Sequence, residues 1–211
     1  MRIYLIRHGE TRGNKEGYFR GRSDFPLNEN GIVQAKSLAV ALKNSGIQKI
    51  FSSPLSRSLE TARILSEETD AEVIVEEGFN NINLGPWEGR KKDEIKKEYP
   101  REFEMWITRP EELRIEGAET ILEVMERSVK TLEKLRKELP QQGIETIAIV
   151  THRAVLKPLI AGILEIKIPF FWKIHVDTAS YSILEYNSKR GYTLKVLNQT
   201  SHLKKFVVEE Y

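Results

Sequence analysis

The fold is decided by the stretch Met1-Arg-Ile-Tyr-Leu-Ile-Arg-His-Gly-Glu-Thr11. Its apolar run, Ile3 to Ile6, is rich in strand-forming residues and predicts a short buried β-strand. The run stops at Arg7, His8 and Gly9, where glycine allows a sharp backbone turn. Such an Arg-His pair is by itself most often a solvated strand end. Because open α/β sheets build their sites at the carboxyl ends of strands, a cation beside a nucleophile here also suggests phosphate chemistry.

A second apolar run ends in the same way. Thr146 to Val150 predicts a parallel strand covered on both faces, and Thr151 and His152 follow it directly. A histidine in this place is more often structural than functional, but two such strand ends converge on one crevice in a doubly wound sheet. Ser53-Pro54 predicts a helix cap and a first-turn proline, which puts Arg57 in a first turn that favours anions.

These motifs resemble those of the histidine phosphatase superfamily. Leu5 to Thr11 with Asn14 resembles its signature. Ser52 to Arg57 with Glu60 to Ala62 resembles its second phosphate-binding element, and Val150 to His152 resembles its second conserved histidine. The resemblance implies a phosphoglycerate mutase-like fold, a three-layer α/β/α sandwich around a mostly parallel sheet of about six strands with one antiparallel edge strand. It spans nearly the whole chain, which implies a single domain over residues 1–211 with a mostly helical cap insertion at about 90–116.

The resemblance also implies roles for individual residues. His8 would attack the phosphorus of a monoester and become a phosphohistidine. The groups expected to hold the phosphate oxygens are Arg7, Arg57, His152 and Asn14. The other expected substrate-binding positions are Arg20, Gly21 and Arg153, of which Arg20 and Arg153 depart from the family's usual Gln and Gly. No metal or other cofactor is expected, because guanidinium groups can replace a metal's charge and the sequence shows no zinc spacing or Walker A loop.

One departure bears on catalysis. Gly78 to Gly89 resembles the block L-x-E-x-x-x-G-x-W-E-G, and the alignment puts Asn81 where the family has the Glu that protonates the leaving oxygen. A carboxamide can donate a hydrogen bond but cannot give up a proton to an alkoxide, and loss of a general acid costs about 10²–10⁴ in rate. The site is therefore slow, or binds phosphate without catalysis, or recruits another acid. The candidate acids are Glu10, Glu77 and Glu88.

Composition narrows the class of protein. The chain has 33 basic and 31 acidic residues with the two signs interspersed, which argues against a nucleic-acid surface. Its apolar stretches are too short to span a bilayer. It contains no Cys, which excludes a disulfide framework and thiolate chemistry. No apolar segment at the amino terminus resembles a signal peptide, so a cytoplasmic location is expected.

The substrate is the least determined feature. The strand around Ala179 to Leu184 and the tail Thr200 to Leu203 resemble the metal-independent phosphoserine phosphatases, which makes phosphoserine the leading candidate. One alternative is a non-catalytic or weakly active phosphate-binding subunit that pairs with an active homologue. A second is phosphoglycerate mutase. The expected partners are a small phosphorylated metabolite and, as a homodimer or heterodimer, another subunit. His175 and His202 lack the spacing of a metal pair and are expected to be structural.

Overall fold

The computed structural model describes residues 1–205. Within them are eight strands: β1 (Arg2–Arg7), β2 (Tyr18–Phe19), β3 (Lys49–Ser52), β4 (Glu72–Val75), β5 (Arg90–Lys91), β6 (Thr146–Thr151), β7 (Tyr181–Asn187) and β8 (Gly191–Gln199). The helices are α1 (Arg12–Lys15), α2 (Glu29–Leu42), α3 (Ser56–Thr69), α4 (Lys92–Glu98), α5 (Pro100–Thr108), α6 (Ile121–Glu138) and α7 (Arg153–Ile163).

Six strands form the central sheet in the order β4-β3-β6-β1-β7-β8. The pairs β4–β3, β3–β6 and β6–β1 are parallel. At the other side of the sheet, β7 runs antiparallel to both β1 and β8. The fold prediction is therefore confirmed, and the antiparallel pairings belong to the β7–β8 hairpin at that edge.

Both faces of the sheet are covered, as the continuous apolar runs in β1 and β6 predicted. Successive side chains of a strand point to opposite faces. Accordingly Ile3 and Leu5 belong to one hydrophobic cluster, shared with α6 and α7, whereas Tyr4 and Ile6 belong to another, shared with α2 and α3. Helices α2 and α3 pack together on one side and α6 and α7 on the other, which gives three layers.

Two of the predicted helix starts are confirmed. The Asn28 side chain accepts a hydrogen bond from the Gly31 N–H and caps α2. Thr120 and Glu123 form a reciprocal capping box at the start of α6.

The predicted cap for α3 is wrong. The helix begins at Ser56, after the extended Leu55, and not at Ser53-Pro54. The carboxylate of Asp24, from a distant loop, accepts hydrogen bonds from the Ser56 N–H (3.1 Å) and Oγ (2.8 Å) and replaces a local cap. Ser53 therefore lies outside the helix, directly after the last residue of β3.

The segment at residues 90–116 contains β5, α4 and α5. Strand β5 pairs antiparallel with β2, which joins this segment to the loop that follows α1. The Trp106 ring of α5 is buried, with its centroid 5.6 Å from those of both Phe19 and Phe171. Residues 90–108 thus lie against the connection that leads to Arg20.

His175 and His202 each lie within hydrogen-bond distance of a protein group. His175 Nε2 lies 2.9 Å from Asp177 Oδ1, and His202 Nε2 lies 2.9 Å from the Ala179 carbonyl oxygen. Over residues 1–205 the structure contains no group of three or more His, Asp or Glu side chains placed to hold a metal ion. In the same range, every helix is too short or too polar to cross a bilayer.

Candidate active site

The parallel pairing of β1 with β6 determines where the candidate active site lies. Arg7 and Thr151 are partners in the register, so the next residue on each strand, His8 and His152, leaves the sheet beside the other. Their ring centroids lie 5.1 Å apart, and both side chains are buried. The structure therefore brings the two predicted histidines together at the carboxyl ends of neighbouring strands.

His8 is held in one tautomer. Its Nδ1 lies 2.7 Å from the carbonyl oxygen of Gly9, which can only accept, so Nδ1 carries the hydrogen and Nε2 keeps a lone pair. Burial, followed by the positive charges of Arg57 and Arg7, holds the pKa of His8 well below its usual value. His8 is therefore neutral at physiological pH, which is the form a nucleophile requires.

His152 is oriented by side chains of the β3–α3 connection and of α3. Its Nδ1 accepts a hydrogen bond from Arg57 Nε at 3.3 Å, so its Nε2 carries the hydrogen and donates to Ser53 Oγ at 2.7 Å. Ser58 Oγ lies 3.4 Å from the same Nε2. Burial, and then the charge of Arg57, lowers the pKa of His152 well below its usual value. Both imidazoles are thus neutral beside a fixed cation.

Arg57 is completely buried in the first turn of α3. Its Nη1 donates to the Ser23 carbonyl (3.0 Å), its Nη2 donates to the Gly21 carbonyl (2.9 Å), and Asp24 Oδ1 lies 3.7 Å from Nη1. Burial, followed by the nearby charge of Arg20, lowers the pKa of Arg57 to about 9, so the group remains cationic at neutral pH. The loop that contains Gly21, Ser23 and Asp24 thereby fixes the guanidinium of Arg57, which belongs to α3.

Arg7 ends β1 next to His8, and Asn14 lies in α1 shortly after it. Arg7 is buried and its Nη1 donates to the Val176 carbonyl at 2.9 Å. Asn14 Oδ1 accepts from the backbone N–H and the hydroxyl of Thr11, which closes a capping box on α1. Two buried guanidinium groups, those of Arg7 and Arg57, therefore lie beside the histidines, and such cations favour the binding of an anion.

Asn81 lies in the same pocket. Its Nδ2 donates to the Gly21 carbonyl at 2.6 Å, and its Oδ1 is buried without a hydrogen-bond partner in the part of the chain that is described. Its backbone carbonyl accepts from Arg22 Nε and Arg127 Nη2, each at 3.1 Å. Asn81 and Arg57 therefore meet at the Gly21 carbonyl, which places the carboxamide at the edge of the anion site.

The pocket that both histidines line is open to solvent, and its cavity volume is about 50 Å³. Its charged and aromatic lining consists of Arg20, Lys92, Arg153, Tyr18, Phe19, Trp106 and Phe171, together with both imidazoles. Of the residues described, those that line it include no carboxylate. The predicted substrate-binding positions Arg20, Gly21 and Arg153 all border this pocket, whereas Arg7, Arg57 and Asn14 lie outside its lining.

The three acids considered as replacements are placed elsewhere. The Glu10 carboxylate accepts from the side-chain amides of Asn28 and Asn30 at 2.7 and 2.9 Å. Glu88 Oε1 accepts from the backbone N–H groups of Arg22 and Leu84. Glu77 is exposed and accepts from Asn80. None of the three borders the pocket, and each already serves the local structure.

Sequence reasoning missed some polar groups of the site. Ser53, which the sequence predicts to cap a helix, instead accepts a hydrogen bond at its Oγ from His152 Nε2. Ser58 follows Arg57 directly, and Thr61 lies one turn further along α3, where its hydroxyl accepts from the Gly9 N–H at 3.1 Å. Thr61 belongs to the motif that resembled the family. Its spacing from Arg57, with both residues on one helix face, was the available signal.

The fold and the paired histidines define an α/β protein with a polar site at the carboxyl ends of its parallel strands, and the comparison of sequences names its family. The pattern of the histidine phosphatase superfamily (branch 1) matches residues 3–200, so the chain belongs to that superfamily.

Three relatives illustrate the similarity. The chain is 34% identical to phosphoserine phosphatase 1 of Hydrogenobacter thermophilus, over 100% of this chain and 98% of the relative. It is 30% identical to the adenosylcobalamin/alpha-ribazole phosphatase of Salmonella typhimurium, over 94% of this chain and 96% of the relative. It also superposes on a phosphoserine phosphatase mutant of Entamoeba histolytica in complex with phosphoserine, with a TM-score of 0.83, 29% identity and coverage of 96% and 98%.

Proposed function

We propose that this protein hydrolyses phosphomonoesters through a phosphohistidine formed on His8. The observation that carries the proposal is the pair of neutral imidazoles, with centroids 5.1 Å apart, beside the buried guanidinium of Arg57. A neutral His8 offers the lone pair of Nε2, and the cations around it stabilise the charge of a transferred phosphoryl group.

The proposed reaction has two steps. In the first, Nε2 of His8 attacks phosphorus in line, an N–P bond forms and the ester P–O bond breaks. In the second, water attacks the phosphohistidine and releases inorganic phosphate and the imidazole. We propose that the equatorial oxygens are held by Arg7, Arg57, His152 and Asn14. Because guanidinium groups bind phosphate oxygens bidentately, this reaction needs no metal ion.

The substrate would lie in the pocket between the histidines and residues 90–116, which we propose to be the cap of a single domain. Arg20 and Arg153, with the backbone of Gly21, would contact it. Among biological alkyl phosphates, phosphoserine is the leading candidate, supported by the relative whose name carries that activity. We expect slow turnover of phosphoserine, because Asn81 cannot protonate the serine alkoxide. The lack of Cys supports a cytoplasmic location.

Asn81 also supports a second candidate function, a phosphate-binding subunit that pairs with an active homologue. The two candidates make different predictions for the purified chain. An enzyme releases inorganic phosphate from phosphoserine or another monoester by itself, whereas the subunit binds phosphate without turnover.

The test is turnover together with labelling. The native chain, incubated with a ³²P-labelled monoester, should release phosphate and carry label that is lost in acid and retained in base, as expected for a phosphohistidine. His8→Asn keeps a donor toward the Gly9 carbonyl and should lose both signals. Label retained in this variant would refute the nucleophile assignment. Binding of phosphate by the native chain without label or turnover would favour the subunit.

A further inference from the structure

Of the residues that the structure describes, those lining the pocket include no carboxyl group to act as a strong proton donor. The side chain in the place of an acid is Asn81, whose Nδ2 hydrogen is given to the Gly21 carbonyl. Neutral His152 gives its Nε2 hydrogen to Ser53. Lys92 borders the pocket, but an ammonium group has an ordinary pKa of about 10.4, which makes it about six units weaker as an acid than a carboxyl group.

This lack matters to different degrees for different substrates. When the P–O bond breaks, its electron pair stays on the leaving oxygen. An alkoxide, whose conjugate acid is about as weak as water, needs a proton as it leaves. A phenolate, with a pKa of about 10 or lower, and a carboxylate, with a pKa of about 4, are stable as anions. A site without an acid therefore discriminates by the stability of the leaving group.

The lining adds a second criterion. Rings of Tyr18, Phe19, Trp106 and Phe171 border the pocket, and Ile82 and Leu84 add apolar surface. Such a surface binds a planar aromatic group through stacking and burial. For the ammonium of phosphoserine, by contrast, the described lining offers cations and no carboxylate.

We infer that the preferred substrate is an aryl phosphate, whose leaving group departs as an anion without a proton from the protein. This inference rests on the proposed function and names the substrate class of the same site. Nε2 of His8 gives its electron pair to phosphorus, the P–O pair leaves on the phenolate, and the phenolate takes its proton from water. Water then cleaves the N–P bond, giving inorganic phosphate and a proton to the solvent.

The experiment is a leaving-group series. kcat/KM is measured for phenyl phosphates with ring substituents of graded electron withdrawal and for phosphoserine, since this ratio reports the steps up to P–O cleavage. The native chain should show a steep rise in kcat/KM as the pKa of the leaving phenol falls. Asn81→Glu should raise kcat/KM for phosphoserine by about 10²–10⁴ relative to that for the best aryl phosphate.

Asn44→Glu is the matched control, because Asn44 is exposed just after α2, far along the chain from the pocket residues, and the substitution adds the same charge. It should leave the slope of the series unchanged. The native series alone also decides the matter should Asn81→Glu fail to fold. Equal native kcat/KM values across the series would overturn the inference and leave the proposed hydrolase intact. Failure of every ester to react or to label His8 would overturn the proposed function, and the inference with it.

Discussion

Acidification should destabilise the ligand-free protein because of its two buried imidazoles. The pKa values of His8 and His152 are held well below the ordinary value, in each case first by burial and next by the charge of Arg57. Below a pH of about 6.5 the unfolded chain binds protons at these positions that the folded chain refuses. The free energy of unfolding therefore falls as the pH falls.

The magnitude follows from proton linkage. With an unfolded pKa of about 6.5, each histidine lowers the free energy of unfolding by roughly 1 kcal/mol between pH 7.5 and 5.5, so the pair lowers it by roughly 2–3 kcal/mol. His202 has a pKa lowered by burial and adds a smaller loss of the same sign. Carboxylates titrate mainly below this range, where their ordinary pKa values of about 4 lie.

The assay is urea unfolding at several pH values, in a buffer free of phosphate. His8→Asn and His152→Gln each keep one hydrogen bond of the ring they replace and remove one titrating group. Over the same pH range, the free energy of unfolding of each variant should fall by roughly 1 kcal/mol less than that of the native chain. A native chain as stable at pH 5.5 as at 7.5, or variants with an unchanged pH dependence, would refute the assignment of neutral buried rings.

Other perturbations test the supports of the site. Arg57→Lys should keep a positive charge but lose the hydrogen bonds to two loop carbonyls, which should lower the free energy of unfolding by about 2–4 kcal/mol. The variant should also be inhibited less strongly by orthovanadate. Unchanged inhibition would contradict the proposed role of Arg57 in holding phosphate oxygens. In Gly31→Ala the new methyl group would overlap the Glu10 backbone, which should lower the free energy of unfolding by about 1–3 kcal/mol. Lys36→Ala, at an exposed position of the same helix, should change it little. Similar melting temperatures for the two variants would count against the close contact between Gly31 and Glu10. Arg127→Met removes one of the two guanidinium hydrogen bonds to the Asn81 carbonyl and leaves that from Arg22. It should lower kcat, and normal kinetics would exclude this positioning role.

The sequence predicted the sheet because its strongest signals are local. Continuous apolar runs such as Ile3 to Ile6 can be satisfied only by burial on both faces, and the caps at Asn28 and Thr120 mark helix starts through side-chain chemistry. The start of α3 was misplaced because its cap, Asp24, comes from a loop 32 residues away in sequence. A local sequence pattern cannot predict a contact between residues so far apart in the chain.

The two histidines were predictable for the same reason, since parallel strands place their carboxyl ends together. The hydrogen bonds that orient them were not. Ser53 binds His152 across 99 residues of sequence, and the Gly21 carbonyl gathers Arg57 and Asn81 from two further segments. The sequence identified Asn81 as a departure, but the places of Glu10 and Glu88 depend on backbone N–H groups and amides that only tertiary structure assembles.

The short pairing of β2 with β5 has a consequence for how specificity can change. Backbone bonds join the Gly89 N–H to the Phe19 carbonyl and the Lys92 N–H to the Gly17 carbonyl, directly before Arg20 and Gly21. A displacement of residues 90–108 is therefore transmitted to the carbonyl that positions Arg57. Substitutions within residues 90–108, the proposed cap, should consequently alter how tightly the site binds inorganic phosphate.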